Sequence, residues 1–286
     1  METELEYGNW VRKKNLIVLG SGALAAGLLV LLPLGTIYRV IMAVVFVALL
    51  VSFLLPFYSY VQFSQSGGKV QEKFYALIIR CLGEDIGAGR LLDIGSGNGV
   101  LAVKLALHFP EAEVIGMDYW GEDWEYSRSV CEKNARTAGV ENRVQFQKGD
   151  AAGLDFADDT FDGATSNLTF HEVKSVTDKR KVLQEALRVV KPGGAFSFID
   201  YFYEEGYYGS TAEFEAFLAG LGLAQVELES IQLIDIPALL RHPKILGKVG
   251  LYGVKTLDRP VASARYPSIR SIRSACCRQL HTIMPD

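Results

Sequence analysis

A glycine-rich loop beside an acid is the first feature of this sequence with the residue types of a binding site. The loop Asp93–Gly99 reads Asp-Ile-Gly-Ser-Gly-Asn-Gly and overlaps the end of an apolar run of β type at 91–95. Glycine permits a sharp strand-to-helix turn and lets the backbone approach a ligand where a Cβ would obstruct it. A tight turn without a ligand explains the same residues, so the loop alone leaves both interpretations open.

Two further acids follow the next two predicted strands. Asp118 lies 19 residues past Gly99, where a carboxylate can accept both hydroxyls of a ribose. Asp150 ends the third strand and is placed to meet an adenine amino group. A dinucleotide fingerprint requires a third glycine at position 100, which is Val100. Three carboxylates at successive strand ends therefore predict a pocket for a positively charged nucleoside, in which a pyrophosphate would be repelled.

The elements that must position these acids alternate along the chain from Lys69 onward. Short apolar β-type runs are followed by helical stretches, which predicts a parallel sheet with helices on both faces. Ligands bind at the carboxyl ends of the strands in such sheets. Strands are predicted at 91–95, 113–118, 143–150, 161–167 and 195–200, a helix at 182–190, and two more strands near 226–231 and 249–255, which would make seven.

Four segments resemble the successive motifs of class I S-adenosylmethionine-dependent methyltransferases. They are Asp93–Gly99, Gly116–Asp118, Gly149–Ala151 and Leu187–Gly194, and the similarity runs from about Lys69 to Lys255. The resemblance implies an α/β fold with a Rossmann-like seven-stranded methyltransferase sheet whose last strand is antiparallel. It also implies S-adenosyl-L-methionine as the cofactor.

The same resemblance implies which residues hold the cofactor. It assigns the methionine part to Gly95, Gly97 and Gly99, the ribose to Asp118, and the adenine to Asp150 with Ala151. Asn167, at the end of the fourth strand, would face the cofactor near the methyl acceptor. Asp93 and Ser96 of the loop complete the expected set, together with one aromatic residue, Tyr119.

Two aromatic clusters flank the predicted pocket, one after the second strand and one after the fifth. Their rings could stack on adenine or surround a sulfonium by cation–π contact, and core packing explains them equally well. Of these residues we expect only Tyr119 to contact the cofactor. The clusters are Tyr119, Trp120, Trp124 and Tyr126, and then Tyr201, Phe202, Tyr203, Tyr207 and Tyr208.

The loop after the fourth strand supplies the candidates for the acceptor side. A methyltransferase must align the acceptor and remove its proton, and the ordinary pKa of His171 suits a general base near neutrality. A histidine that only binds the substrate or fixes the loop remains an alternative, and Glu172 is also explained by the first turn of a helix. Methyltransferases of exocyclic amines have an Asn-Pro-Pro-Tyr type sequence here, whereas this chain has Asn-Leu-Thr-Phe at 167–170. With a net charge of −4, this departure argues against nucleic acid as the acceptor.

The N-terminal part of the chain is physically different, since Arg39 is the only charged residue between Asn15 and Gly68. The runs 16–32 and 40–60 are each close to the ~20 apolar residues that span a membrane. Basic residues flank the pair, which predicts two transmembrane helices with both ends in the cytoplasm. A cleaved signal peptide is disfavoured by the second run, and two buried helices of a soluble core are disfavoured because neither run has a polar face.

The predicted organisation therefore has four parts. They are a membrane hairpin at 1–63, a flexible linker at 64–68, a methyltransferase domain at 69–258 and a basic tail at 259–286. Small residues of the first span would let the two helices approach closely. An apolar insertion at 234–247 would dip into the membrane interface or cover the sheet edge. The four cysteines have no metal-site spacing, so no metal is expected.

The predicted function is a membrane-anchored methyltransferase that acts on an apolar or membrane-resident small molecule, either quinone-type or lipid. The reason for this acceptor class is the tether, which raises the local concentration of substrates dissolved in the bilayer. A methyltransferase of soluble small molecules or proteins, a catalytically silent cofactor-binding membrane sensor, and polyamine-type group transfer are the alternatives. The sequence leaves the oligomeric state open.

Overall fold

The computed structural model describes residues 5–83, 86–122, 124–221, 223–227, 236–241, 246 and 251–255. The chain forms two compact units, which we call the hairpin unit and the sheet unit. The hairpin unit contains Glu6–Lys73 and Gly121–Tyr126, and the sheet unit contains Phe74–Trp120 and the chain from Ser127 onward.

The hairpin unit contains two long apolar helices. Helix α1 covers Lys13–Val30 and α2 covers Thr36–Phe63, so each begins a few residues before the predicted span. Gly35, with φ of +93°, lies between them. Most of their large apolar side chains are exposed, among them Ile17 and Ile37 at 69% and 79%. Both helices are long and apolar enough to cross a membrane, by length and composition only.

Glycines of α1 receive aromatic rings of α2. A Cβ added to Gly20 would lie 3.2 Å from the Phe53 ring, and one added to Gly27 would lie 3.2 Å from the Phe46 ring. Because the residue numbers rise along α1 as they fall along α2, the two helices run antiparallel. The small residues thus permit the close approach that their sequence indicated.

The segment at 64–68, predicted as a linker, forms turns between α2 and α3. The backbone N–H groups of Gly67 and Gly68 donate to the carbonyls of Ser64 and Val61, each over 3.3 Å. A Cβ at Gly67 would lie 2.1 Å from the Val61 oxygen, so only glycine allows this turn. The glycines close a hydrogen-bonded turn that ends α2.

The sheet unit is built on seven strands in the order β3-β2-β1-β4-β5-β7-β6. Strands β1 to β5 are parallel, as predicted, and β7 runs antiparallel to both β5 and β6. The strands are β1 Arg90–Ile94, β2 Glu113–Asp118, β3 Val144–Lys148, β4 Phe161–Asn167, β5 Val190–Ile199, β6 Leu223–Glu227 and β7 Leu251–Lys255. The remaining helices are α3 Val70–Leu82, α4 Val100–His108, α5 Arg128–Thr137, α6 Arg180–Arg188, α7 Glu205–Tyr208 and α8 Thr211–Gly220.

The strand order reverses between β1 and β4. Such a switch point opens a crevice at the carboxyl ends of the two strands. Buried side chains of β1, β4 and β5, including Leu92, Phe161 and Phe196, form the core beneath it. The loops predicted to bind the ligand therefore lie together at the carboxyl ends of the strands.

Strands β1, β3, β5 and β6 have boundaries that differ from the predicted ones, and the difference is largest for β5 and β6. Strand β5 begins five residues before the predicted 195–200, because Val190 also pairs with Phe161. Strand β6 begins three residues before the predicted 226–231, and residues 228–231 lie outside the described residues.

Only part of the insertion at 234–247 is described. Ile236, Leu240 and Leu246 are buried there, which favours packing of the insertion on the protein over contact with the membrane interface. The tail at 259–286 lies outside the described residues.

Candidate active site

Asp93, at the end of β1, is a buried carboxyl group with one unused oxygen. Its side chain is 1% exposed, and its Oδ1 accepts a 3.1 Å hydrogen bond from Thr165 Oγ1 of β4. Its Oδ2 is buried without a hydrogen-bond partner among the described residues. Burial raises the pKa of Asp93 to about 7. A cation or a hydrogen-bond donor would stabilise the charged form at this point.

The glycine loop has the backbone conformation that its residue types indicated, although packing is a further reason for two of its glycines. Gly95, Gly97 and Gly99 have φ values of +78°, +56° and +75°. A Cβ at Gly95 would lie 2.0 Å from Thr169 Oγ1, and one at Gly99 would lie 2.7 Å from the Phe146 ring. Side chains of the protein itself thus occupy these two directions, so the glycines there are required without invoking a ligand.

Ser96 closes the same turn from inside. Its side chain is buried, and its hydroxyl donates a 2.9 Å hydrogen bond to the backbone oxygen of Asp93. This bond fixes the start of the loop.

Asp118, at the end of β2, is tied to the glycine loop. Its Oδ2 accepts from the backbone N–H of Gly97 and its Oδ1 from that of Trp120, each over 2.8 Å. A carboxylate has about four lone-pair sites, so two bonds leave capacity for two ligand hydroxyls. Burial raises the pKa of Asp118 above its ordinary value. The geometry is compatible with the ribose contact expected from the sequence.

The aromatic residue whose side chain contacts the glycine loop is Trp120, the neighbour of Tyr119, which was predicted to contact the cofactor. Trp120 has a φ of +42°, and its Nε1 donates a 2.9 Å hydrogen bond to the carbonyl of Gly97. Tyr119 is 64% exposed, and its ring lies 5.1 Å from Lys148 Nζ. Two adjacent aromatic residues look alike in sequence, and only the backbone turn at Trp120 distinguishes them.

Asp150 and Ala151 follow β3 beside Asp118. The backbone N–H of Gly149 donates to the carbonyl of Asp118 over 3.0 Å, which joins the two strand ends. Asp150 Oδ1 accepts from the backbone N–H of Ala152 over 2.9 Å, and Ala151 is buried. Both residues thus lie in a turn at the carboxyl end of β3, next to the end of β2.

Asn167 ends β4 and offers a second unused acceptor. Its Oδ1 is buried without a hydrogen-bond partner among the residues that the structure describes. The next residue, Leu168, has a φ of +54°, and its N–H donates to the carbonyl of Ile199 over 2.6 Å. Since Asp93 pairs with Thr165 on β4, the two unused acceptors lie on neighbouring strands at the switch point. Such a pair fits a ligand that is cationic and rich in donors, as S-adenosyl-L-methionine is.

His171 pairs with Asp200, a residue that the sequence reasoning missed. His171 Nδ1 lies 2.7 Å from Asp200 Oδ1, and the backbone N–H of His171 donates to Asp200 Oδ2 over 2.9 Å. Burial lowers the pKa of His171, but the charge and hydrogen bond of Asp200 outweigh it and leave the pKa above its ordinary value. The signal for Asp200 was its place at the end of a predicted strand, like the other acids.

The aromatic cluster after β5 divides between the site and the core. The ring of Tyr201 meets that of His171 edge to face at 4.7 Å, and the ring of Tyr207 lies 5.8 Å from it. Burial raises the pKa of Tyr201 to about 12. Phe202 and Tyr208 pack on each other in the core. Only part of this cluster is therefore available to an acceptor.

Trp124 and Tyr126 belong to the hairpin unit. The guanidinium of Arg12 lies 4.5 Å from the Trp124 ring, and the Tyr126 hydroxyl donates to the carbonyl of Asn9 over 3.1 Å. The described contacts of these two rings thus explain them by packing on the segment before α1.

Comparison with known proteins matches the sheet unit. Residues 87–224 match the family model described as a methyltransferase domain. A ubiquinone/menaquinone biosynthesis C-methyltransferase of Desulfotalea psychrophila is 36% identical over 117 residues, which are 41% of this chain and 43% of that protein. The uncharacterized methyltransferase YcgJ of Bacillus subtilis is 37% identical over 116 residues, which are 41% of this chain and 42% of that protein. The chain thus matches less than half the length of these curated relatives.

The matches to solved structures have lower sequence identity and cover more of this chain. The structure of YcgJ from Bacillus subtilis has a TM-score of 0.45 and 24% identity, and the match covers 65% of this chain and 99% of that one. Geranyl diphosphate C-methyltransferase from Streptomyces coelicolor, solved with S-adenosyl-L-homocysteine, has a TM-score of 0.49 and 14% identity over 65% of this chain and 79% of that one. Residues 87–224, slightly less than half of this chain, are thus similar to a methyltransferase domain.

Proposed function

We propose that this chain transfers the methyl group of S-adenosyl-L-methionine to a quinone-type small molecule dissolved in a membrane. The observation that carries the proposal is the pair of unused buried acceptors, Asp93 Oδ2 and Asn167 Oδ1, beside the glycine loop. Buried polar atoms are nearly always partnered, so a donor-rich ligand is expected at this edge of the sheet. The sulfonium and ammonium groups of the cofactor would also favour the charged form of Asp93.

Each residue expected from the sequence has a role in this proposal. Asp93, Gly95, Ser96, Gly97, Gly99 and Asn167 hold the methionine part, Asp118 the ribose, Asp150 and Ala151 the adenine, and Tyr119 an outer edge of the pocket. We add Trp120 because its indole hydrogen-bonds the glycine loop.

His171 is the proposed general base on the acceptor side. The bound cofactor supplies an activated methyl group, so the protein must align the acceptor and take its proton. Asp200 holds one ring nitrogen of His171, and the other is available for this proton. The rings of Tyr201 and Tyr207 flank His171. A planar acceptor could stack on either ring.

The quinone-type acceptor is supported by the names of the relatives. Besides the Desulfotalea psychrophila protein, a demethylmenaquinone methyltransferase of Thermus thermophilus is 33% identical over 112 residues. A phospholipid headgroup, a soluble small molecule and a protein are the competing acceptors. A membrane sensor that binds the cofactor without turnover is the competing function.

The membrane anchor is part of the same proposal. Helices of 18 and 28 residues are about 27 Å and 42 Å long, against a hydrocarbon layer of about 30 Å. Their outward apolar side chains separate them from the buried helices of a soluble core, because none of the most apolar window of α2 is buried. Arg12, Lys13 and Lys14 lie at the start of α1, and Lys69 and Lys73 follow α2, which supports a cytoplasmic location for both ends.

The experiment for this proposal is a transfer assay on the full chain in lipid nanodiscs. Methyl-labelled S-adenosyl-L-methionine is added with demethylmenaquinol in one reaction and with phospholipid alone in another. We expect label in the quinol and S-adenosyl-L-homocysteine in equal amount. Label in the phospholipid would show that the acceptor is a lipid and not a quinol. Tight cofactor binding without turnover on either substrate would favour the membrane sensor.

A further inference from the structure

The side chain of Asp200 contacts both the backbone and the ring of His171. The side chain of Asp200 is fully buried after β5. Its Oδ2 accepts from the backbone N–H of His171 over 2.9 Å, and its Oδ1 lies 2.7 Å from His171 Nδ1. The backbone N–H of Tyr201 also donates to Oδ1 over 2.6 Å. The carboxylate thus fixes both the backbone position and the ring of His171.

This arrangement decides where the histidine carries its proton. An ionised carboxylate only accepts hydrogen bonds, so Nδ1 must be the donor, and Nε2 of the neutral ring keeps a free lone pair. Nε2 lies 3.7 Å from Glu172 Oε1, which is too long for a hydrogen bond. At this distance the carboxylate of Glu172 does not accept a hydrogen bond from Nε2, so it does not stabilise the competing tautomer with the proton on Nε2.

We propose that Asp200 is a positioning residue that holds His171 in the tautomer whose Nε2 takes the proton of the methyl acceptor. The inference rests on the proposed function and names how its base is prepared. The acceptor hydroxyl gives its proton to Nε2, and the electron pair left behind is delocalised to the ring carbon that forms the new bond to the methyl carbon. That carbon then releases its own hydrogen as a proton to water while the oxygen takes up a proton, which restores the aromatic quinol. The electron pair of the broken carbon–sulfur bond stays on sulfur, and the imidazolium of His171 later returns its proton to water.

The groups that face His171 come from four places in the fold. Asp200 and Tyr201 follow β5, Glu172 is its chain neighbour, Lys179 immediately precedes α6, and Tyr207 lies on α7. Lys179 is buried, and its Nζ donates to the carbonyls of Val173 and Val176. Asp200 gives the largest attraction that opposes the burial of the ring, and Lys179 acts in the opposite sense. Removing the charge of Asp200 should therefore lower the pKa of His171.

The test is nitrogen NMR on the full chain in nanodiscs with labelled histidine. The protein has four histidines, and His171→Gln identifies the signal in question. We expect the Nδ1–H tautomer above the pKa in the unmodified chain. In Asp200→Asn we expect the Nε2–H tautomer to become populated and the pKa to fall by about one unit or more. Asp200→Glu keeps the charge and should keep the pKa high.

Asp162→Asn is the matched control, because Asp162 also accepts from a backbone N–H, that of Arg90, and does not contact His171. It should leave the tautomer and the pKa unchanged. An Nε2–H tautomer in the unmodified chain, or an unchanged pKa in Asp200→Asn, would overturn the inference. The spectrum of the unmodified chain decides the first point even if Asp200→Asn does not fold.

Turnover gives a second readout. Asp200→Asn should lower kcat by about 100- to 10,000-fold and move the pH profile to lower pH, with little change in KM for the cofactor. A merely structural role would lower the midpoint of thermal unfolding and leave the pH profile in place. No turnover by the unmodified chain would defeat the proposed function, whereas the NMR result stands apart from it, so the two failures are distinguishable.

Discussion

The hairpin unit and the sheet unit place their apolar and polar groups in opposite ways. The hairpin unit exposes apolar side chains along two helices and buries mainly small residues between them, such as Ala23 and Ala26. The sheet unit buries its large apolar side chains and keeps polar ones, including Asp93, at the carboxyl ends of its strands. The first arrangement is stable where lipid replaces water, and the second gathers polar groups at one end of an apolar core. Damage to either unit should therefore appear in different measurements.

Gly97→Val should give the largest difference between its effect on the sheet unit and its effect on the hairpin unit. Position 97 combines a φ of +56° with hydrogen bonds to Asp118 and Trp120, so a β-branched residue would displace both. Calorimetry should show cofactor affinity reduced by about 100-fold or more, a loss of about 3 kcal/mol. Flotation with liposomes should show unchanged membrane association.

Gly139→Val is the control for this substitution. Gly139 has a φ of +69° with nothing within 4 Å of an added Cβ, so the same backbone strain arises away from the pocket. Normal affinity in Gly97→Val, or equal losses in both variants, would contradict the role of the glycine loop.

Asp93→Asn should weaken cofactor binding and stabilise the folded protein. Burial raises the pKa of Asp93 in the folded protein to about 7, above its ordinary value of 3.8, and so favours the protonated form. This contribution to stability is present below pH 3.8 and is lost as the pH rises through 7, by about 4 kcal/mol in total. At pH 8 the variant should unfold at a higher temperature than the unmodified chain and should bind the cofactor weakly.

The comparison with acidic conditions sharpens this prediction. Thermal scans near pH 5 should show a much smaller gain, since Asp93 is then largely protonated in the folded protein. Asp162→Asn should show no gain at either pH, because its partner Lys191 lowers the pKa of Asp162 despite some burial. If Asp93→Asn were less stable than the unmodified chain at pH 8 and still bound the cofactor, Asp93 would not be a destabilising carboxyl that serves to bind the ligand.

The smallest effect is expected in the hairpin unit, from Gly27→Val. The added carbons would push against the Phe46 ring, whose nearest atom lies 3.2 Å from a Cβ at this position. Loosened packing of α1 on α2 should cost about 1–2 kcal/mol and speed hydrogen exchange of α1 amides. Gly22→Ala, with 3.8 Å to Leu49, is the control, and neither variant should change cofactor affinity.

The sequence predicted the parallel strands because their apolar runs are short and bounded by acids or glycines. Strand β2 agrees with its predicted limits, and β4 does too. The start of β5 was missed because Lys-Pro-Gly-Gly at 191–194 has the composition of a turn, whereas the pairing of Val190 with Phe161 draws that segment into the strand.

The positions of the pocket residues were predictable at strand ends, but their contacts were not. Asp200 was missed because its partner His171 lies on a different strand end, and sequence spacing does not show pairing across the sheet. Thr169 opposite Gly95 is a similar case, since a close approach between two loops leaves no periodic signal. The pairing of such polar groups depends on the fold and leaves no pattern in the sequence.

The most direct measurement for the central claim is calorimetric titration of the full chain with S-adenosyl-L-methionine at pH 7 in buffers of different ionisation enthalpy. A site at Asp93 for a cationic nucleoside predicts binding coupled to release of a proton, because burial raises the pKa of Asp93 to about 7 and a cation beside the carboxyl favours its charged form. Absence of binding in the unmodified chain, or binding that Asp93→Asn and Gly97→Val leave unchanged, would contradict the claim.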